Sequence, residues 1–315
     1  MIGCVGRFWW PLAQATHGAS GGATAQGAGE QDIAAVWNEH MMAEVSDAHH
    51  FLIPFINREI PLPQLPTLHI GALAIDLSPT KHVVYLMIAA ILCAVTMVWV
   101  ARRTHGKRAE KAPKGLANVI EAFVIYLRDE VAMRNIGKGG ERYVPFVLTL
   151  FFFILFMNLL GIVPFGAAAT GNIGVTASLA ILSLVAIEIG GLLHIGPKAY
   201  LGTIIYVPKG LNWFWSIIMA VVMTPVELIA KLARIFALAI RLFANMTAGH
   251  LVILSLVGLI FMAGAAEGTV KYLIWPAPVL MAVAIMLMEI FIAFLQAYIF
   301  AMLTSVFIGL VRHPH

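Results

Sequence analysis

Between Pro225 and His250 the chain reads PVELIAKLARIFALAIRLFANMTAGH, placing Glu227, Lys231, Arg234, Arg241, Asn245 and His250 in an otherwise apolar background. By hydropathy the stretch is a membrane-embedded helix. A charged side chain near the centre of a bilayer costs roughly 2.5–3.5 kcal/mol on insertion scales, so each of these residues needs a chemical reason to be there. Glu227, Arg234, Arg241 and Ala248 recur every seven residues, with Lys231 and Asn245 each four after a member of that series. On a helix they form one stripe. Lys231 is placed to neutralise Glu227 one turn away. Arg241 has no carboxylate within four residues on either side, so its counter-charge must come from elsewhere. An arginine tied to backbone carbonyls, acting only as packing glue, is the competing reading at this point.

A second polar set lies near the C-terminus. From about Val279 to Val311 the chain is apolar apart from Glu289, Gln296 and little else, and these two, seven apart, share a helical face. If this helix packs antiparallel to the one bearing Arg241, Gln296 comes level with Arg241, and Glu289 comes level with His250. His250 is nine residues from Arg241, about 180° around the helix.

The elements that must carry these residues follow from composition. The chain has 315 residues, 61% hydrophobic and 11% charged, with mean hydropathy +0.90, which indicates a polytopic membrane protein rather than a soluble domain. The isoelectric point near 9.1 then reflects topology and not nucleic-acid binding. Cys4 and Cys93 form neither a disulfide framework nor a metal site. No cofactor and no metal are expected.

Residues 1 to about 35 are rich in Gly, Ala and Gln and are expected to be poorly ordered. They open as a poor signal peptide, because Arg7 stands alone and Trp9, Trp10 and Pro11 interrupt any apolar run. DIAAVWNEHMMAEVSDAHH suits a short amphipathic helix. An extended stretch through Pro61, Pro63 and Pro66 follows, with a hairpin expected at LHIGALAID. His40, His49 and His50 could bind a metal but read as solvated side chains, since they carry no Cys or carboxylate pattern at ligand spacing. Residues 1–80 are thus expected to form an extension outside the bilayer, and 81–315 a membrane domain.

Val83 to Ala101 is uncharged and long enough for a first span. It ends in RRTHGKRAEKAPKG, where six Lys or Arg face one Glu, so the positive-inside rule puts this loop in the cytoplasm and the N-terminus outside. From Leu116 to Arg134 the apolar residues Leu116, Ile120, Phe123, Leu127 and Val131 oppose Glu121, Arg128 and Asp129, predicting an amphipathic interfacial helix. Val144–Phe165 and Val175–Ile195 are the next spans. Asn158, in the outer half of the first of these, is either channel-lining or a helix–helix hydrogen bonder. Glu188 lies thirteen residues into the second, roughly 20 Å deep at 1.5 Å per residue, and is either an inner-channel residue or the partner of Lys231 or Arg234. Phe214 to Met262 is predicted to be one helix, because KLARIFALAIRLFANM has neither Gly nor Pro to make a turn. At roughly 70 Å it is more than twice the bilayer core, so it must tilt or bend, with Pro225 the candidate bend. The basic end VRHPH is expected in the cytoplasm. The fold class expected is all-α: five membrane helices, including a long tilted C-terminal hairpin, and one interfacial amphipathic helix.

RLFANMTAGH, together with EIFIAFLQAYIF from Glu289 onward, resembles subunit a of the membrane sector of F-type ATP synthases, of bacterial type. The resemblance covers nearly the whole chain from about His49. It implies a stator subunit that is not an enzyme by itself, in the bacterial plasma (inner) membrane, working with the rotor ring of c subunits and the peripheral stalk of b subunits. It implies that Arg241 faces the ring and is the essential charge. It further implies an outer proton path through His250, Glu289, Asn245, Gln296 and Asn158, an inner one through Glu227 and Glu188, and supporting roles for Arg234, Lys231, Ala248 and Gly249. Two departures stand out: Gly161 where some members carry an acid three residues after the asparagine, and Ile235 where many carry proline. A stand-alone ion channel or secondary cation antiporter is the alternative, but it should show broken helices or internal repeats, and the sequence shows no repeat.

Overall fold

The structure, a computed structural model, describes residues 50–53, 58–61, 68–70, 73–75, 80–104, 115–137, 139–162, 168–197, 200, 213–264 and 276–312. The predicted amphipathic segment before His50 and the candidate disorder of residues 1–35 lie outside them, as does most of the connector between Tyr200 and Asn212. Two short antiparallel hairpins come first: β1 (His50–Ile53) with β2 (Arg58–Pro61), and β3 (Leu68–Ile70) with β4 (Leu73–Ile75). The second is the hairpin expected at LHIGALAID. The first was not expected, and Pro61 is tolerated in it because it pairs with His50 at the very end of the ladder.

Nearly all the other described residues are helical, and the protein is an all-α polytopic membrane protein. Its helices are α1 (Lys81–Thr104), α2 (Leu116–Tyr126), α3 (Val144–Ile162), α4 (Ile173–Ile195), α5 (Trp213–Gly264) and α6 (Pro276–Arg312). Among the described residues five helices, all but α2, are long and apolar enough to cross a membrane. Apolar side chains such as Met87, Ile91 and Val95 of α1 or Leu193 of α4 are exposed, as lipid-facing positions should be. Membrane-buried hydroxyls satisfy themselves within their own helices: Thr96, Thr149, Ser183, Ser255, Thr304 and Ser305 each donate to the carbonyl four residues back.

The interfacial helix departs from a simple amphipathic one. After Tyr126 it continues as a π-helical stretch, Leu127–Met133, and ends in a turn, Arg134–Ile136. Hydrogen bonding to the fifth residue widens the turn, and the sequence neighbours Val131 and Ala132 are both buried along with Leu127 and Ile136. Arg128, Asp129 and Glu130 stay exposed, with an Arg134–Glu130 pair at 2.7 Å on the surface that contributes little.

By packing the chain divides into two compact units, and several helices contribute to both. One comprises residues within Met1–Ile88, Met157–Asn172 and Ala244–Ile292. In it the start of α1 and the end of α3 meet a buried single turn, Ala169–Gly171, that precedes α4. The other comprises Ala89–Phe156, Ile173–Phe243 and Ala293–His315. Its hub is the second half of α6, where Ala293, Gln296, Ala297, Phe300 and Ala301 are all buried. Small residues there let neighbouring helices approach closely. Phe294 packs on Phe123 of α2 at 5.2 Å and on Phe151 of α3 at 5.5 Å, and the Arg312 guanidinium lies 5.6 Å above the Tyr143 ring.

Candidate functional site

α5 is the single unbroken helix expected, 52 residues that include Pro225, about 78 Å at 1.5 Å per residue. Around the arginine its buried side is Leu238, Ala239, Leu242 and Met246, whereas Arg234, Ala237, Arg241, Ala244, Asn245 and Ala248 are exposed. The stripe seen in the sequence faces outward at Arg234, Arg241, Asn245 and Ala248, whereas Glu227 and Lys231 are half-buried. The Arg241 guanidinium has no hydrogen-bond or ion-pair partner among the described residues. Its main chain is held instead: Gln296 Nε2 donates to the Arg241 carbonyl oxygen at 2.6 Å, and Gln296 is 5% exposed. Gln296 is thus level with Arg241, as expected, but it grips the backbone and leaves the charge pointing outward.

The other cations on this helix are accounted for. Arg234 lies 5.2 Å above the Phe307 ring. Lys231 pairs with Glu188 of α4 at 3.4 Å and lies 5.6 Å from the Tyr200 ring. Lys231 is one of the two cations expected as a partner of Glu188, and this contact takes it from Glu227. A helical pair one turn apart gains only about 0.3–0.5 kcal/mol, whereas a carboxylate left unpaired on a neighbouring membrane helix costs far more, so the lysine goes to Glu188. Glu227, half-buried, has no partner among the described residues.

The first unit contains Glu289 and His250. Glu289 is only 6% exposed, and neither of its carboxylate oxygens has a hydrogen-bond partner among the described residues. Its carboxyl group lies against Gly249: a Cβ there would collide with Oε1 and come within 2.8 Å of the carboxyl carbon. His250, half-buried, is the next residue. The register expected between the two helices is the one observed, since eight residues forward from Arg241 to Gly249 match seven back from Gln296 to Glu289. A direct His250–Glu289 hydrogen bond is not part of it.

Asn158 is 2% exposed and accepts a hydrogen bond from the Thr170 hydroxyl at 2.9 Å. Gly161 has a steric reason. A Cβ there would run into the Met246 methyl and lie 2.8 Å from the Ala168 Cβ, so no acidic side chain fits, and the buried carboxylate comes from Glu289 on α6. The sequence reading missed His82. It is buried, with Nδ1 2.9 Å from the Ala168 carbonyl oxygen. A histidine at the edge of an apolar run was the signal, and it was passed over by starting the span at Val83.

The family model described as "ATP synthase A chain" matches residues 83–309, from the first turn of α1 to the last turn of α6. The chain belongs to the subunit a family of F-type ATP synthases. It is similar to ATP synthase subunit a of Chloroherpeton thalassium, 43% identical over 267 residues that make up 84% of this chain and 74% of that protein. It is also similar to ATP synthase subunit a of Myxococcus xanthus, 44% identical over 251 residues, 78% of this chain and 76% of that protein. ATP synthase subunit a 2 of Chlorobaculum tepidum is 40% identical over 264 residues, 83% of this chain and 71% of that one. Membership in the subunit a family makes this chain a multi-pass membrane component of ATP synthesis and proton transport that acts together with other ATP synthase subunits.

Proposed function

We propose that the chain is the stator proton channel of the synthase, with Arg241 facing the ring of rotor c subunits. The observation that carries this is the outward-facing arginine. Gln296 fixes its turn, Ala237, Ala244 and Ala248 flank it, and the guanidinium is left for a partner helix that such small residues let close. Leaving a charge unpaired at this depth is too costly unless an acidic group outside the chain meets it.

In this reading a proton enters from outside through a polar path of His250, Glu289, Asn245, Gln296 and Asn158 and reaches a carboxylate on a rotor subunit. Once protonated, that carboxyl is neutral and can pass through lipid. Ionised, it is held by Arg241 until rotation carries it on. After nearly a full turn the proton leaves by an inner path at Glu227, with the Glu188–Lys231 pair in its wall. Arg241 also blocks a direct leak between the two paths, because a fixed positive charge repels protons. The membrane potential supplies about 2.3 kcal/mol per charge per 100 mV, so several protons are needed per ATP and a rotary gear sums them. Arg234, Lys231, Ala248 and Gly249 shape this face. Residues 1–80 form an extension outside the bacterial plasma membrane, 81–315 the translocating domain, and the b subunits hold it against rotation. The unbroken α5 speaks against a stand-alone channel or antiporter, whose ion site would need a helix interrupted near the midplane.

The test is Arg241→Ala in the whole complex. ATP synthesis driven by a proton gradient should fall by at least a hundredfold, while the variant still co-purifies with the c ring. Normal synthesis by an assembled variant would refute the assignment.

A further inference from the structure

We propose that Lys231 is a mobile counter-charge on the inner path, moving between Glu188 of α4 and Glu227 of α5 so that whichever carboxylate is ionised keeps an ammonium beside it. This rests on the function proposed above, in which these two carboxyl groups stand along the proton's way to the cytoplasm. All three residues belong to one compact unit. Lys231 Nζ stands 3.4 Å from Glu188 Oε1, wider than the roughly 2.7–2.9 Å of a tight charge-assisted hydrogen bond. Glu227 is four residues before Lys231 on the same helix, the order and spacing at which a glutamate and a lysine face each other best. One ammonium is within reach of two carboxylates. The side chains of the observed pair are 19% and 28% exposed, enough for water to exchange protons there. The Tyr200 ring, 5.6 Å from Nζ, adds a cation–π contact, which holds the ammonium at this level without locking it to one oxygen.

A static ion pair needs no third charge nearby. Here one cation and two acids share poorly solvated surroundings, and their total charge is zero only when a single carboxyl proton is present, so the trio is built to hold one proton. With Lys231 on Glu188, as observed, that proton sits on Glu227. Its release to cytoplasmic water, followed by arrival of the next proton from the rotor at the Glu188 carboxylate, turns Lys231 towards Glu227. Passage of the new proton through water from Glu188 to Glu227 then returns Lys231 to Glu188. One proton enters and one leaves in each cycle, and Nζ keeps its three hydrogens throughout. The neighbouring charged or titratable groups are engaged elsewhere. Arg234, three residues on, lies over the Phe307 ring of α6. Tyr143 of α3, beneath the Arg312 guanidinium, donates to the Gly190 carbonyl two residues beyond Glu188.

The experiment measures ATP synthesis by the whole synthase in inverted membrane vesicles, whose medium is the cytoplasmic side. Medium pH is stepped from neutral to alkaline at constant total driving force, and each variant is expressed as a ratio to the unsubstituted complex. Lys231→Gln removes the counter-charge, so giving up the proton demands a more alkaline medium. Synthesis should fall about three- to tenfold at neutral pH and return towards the unsubstituted rate at the alkaline end. Lys231→Arg keeps the charge and should restore the profile. Glu227→Gln leaves the lysine fixed on Glu188, which then resists taking up a proton. Adding Lys231→Gln to that variant should free Glu188 and raise synthesis about threefold, the reverse of its effect alone. The same fold-loss from Lys231→Gln in both backgrounds, a loss equal at every pH, or a profile superimposable on the unsubstituted complex would make the pair a static strap and overturn the proposal. Lys231→Met replaces Lys231→Gln if that variant does not assemble, and failure of both while Lys231→Arg assembles would overturn it as well. Arg241→Ala run alongside separates the two readings. If it synthesises ATP normally, the proton-channel reading fails. If it is inactive while Lys231→Gln matches the unsubstituted complex, only the mobile counter-charge fails.

Discussion

Glu289 shows what a buried carboxylate demands of the residue beside it. At 6% exposure it has room only because position 249 carries no Cβ. Adding one methyl by Gly249→Ala would drive the carboxyl group from its place, an overpacking of the kind that costs about 1–3 kcal/mol. Proton pumping by the assembled complex should fall at least tenfold, and Gly249→Ala combined with Glu289→Asp, one methylene shorter, should recover part of the loss. Pumping is followed by quenching of an acid-sensitive dye. Full activity in the Gly249→Ala variant would show that the Glu289 position has no bearing on transport.

At the scale of elements, α4 and α5 are joined by Lys231 and Glu188, whose side chains are 19% and 28% exposed. Removing one charge of such a pair strands the other in poorly solvated surroundings. Lys231→Glu and Glu188→Lys are therefore each expected to destabilise by roughly 1–2 kcal/mol, below the 3–5 kcal/mol of a fully buried pair. The double reversal should recover most of this, with a coupling above about 0.5 kcal/mol. Thermal unfolding of the detergent-solubilised complex reads it. Simple additivity would mean that the two charges do not sense each other. The same ion pair explains why the lysine fails to stay with Glu227 as the spacing suggested: helical neighbours are equally close in any surroundings, but a carboxylate across a helix interface has no other source of compensation.

For the whole molecule, an odd number of spans puts the chain ends on opposite faces of the membrane. In the proposed topology the six basic residues between 102 and 115 lie on the cytoplasmic side. Alkaline phosphatase fused at residue 45 should be active outside, and a fluorescent protein fused after His315 should fold and fluoresce inside. Both reporters working on one side would reduce the spans to an even number.

The number and limits of the membrane helices were legible from Val83 to Val311, because in a bilayer every backbone group must be satisfied within its own helix and hydropathy alone then marks the spans. The continuity of α5 through KLARIFALAIRLFANM and the level pairing of Gln296 with Arg241 followed from periodicity and the absence of a turn residue. Most side-chain partners did not follow. The Lys231–Glu188 pair is one of the alternatives the spacing left open, but the backbone rather than the guanidinium as the target of Gln296, the bond from Thr170 to Asn158, the steric closure at Gly161 and the burial of His82 each depend on which helices are neighbours. That neighbourhood is decided by close packing of small residues such as Gly249 and Ala297 between helices whose lipid-facing and protein-facing sides are almost equally apolar. A pattern of polarity along one chain carries little record of it.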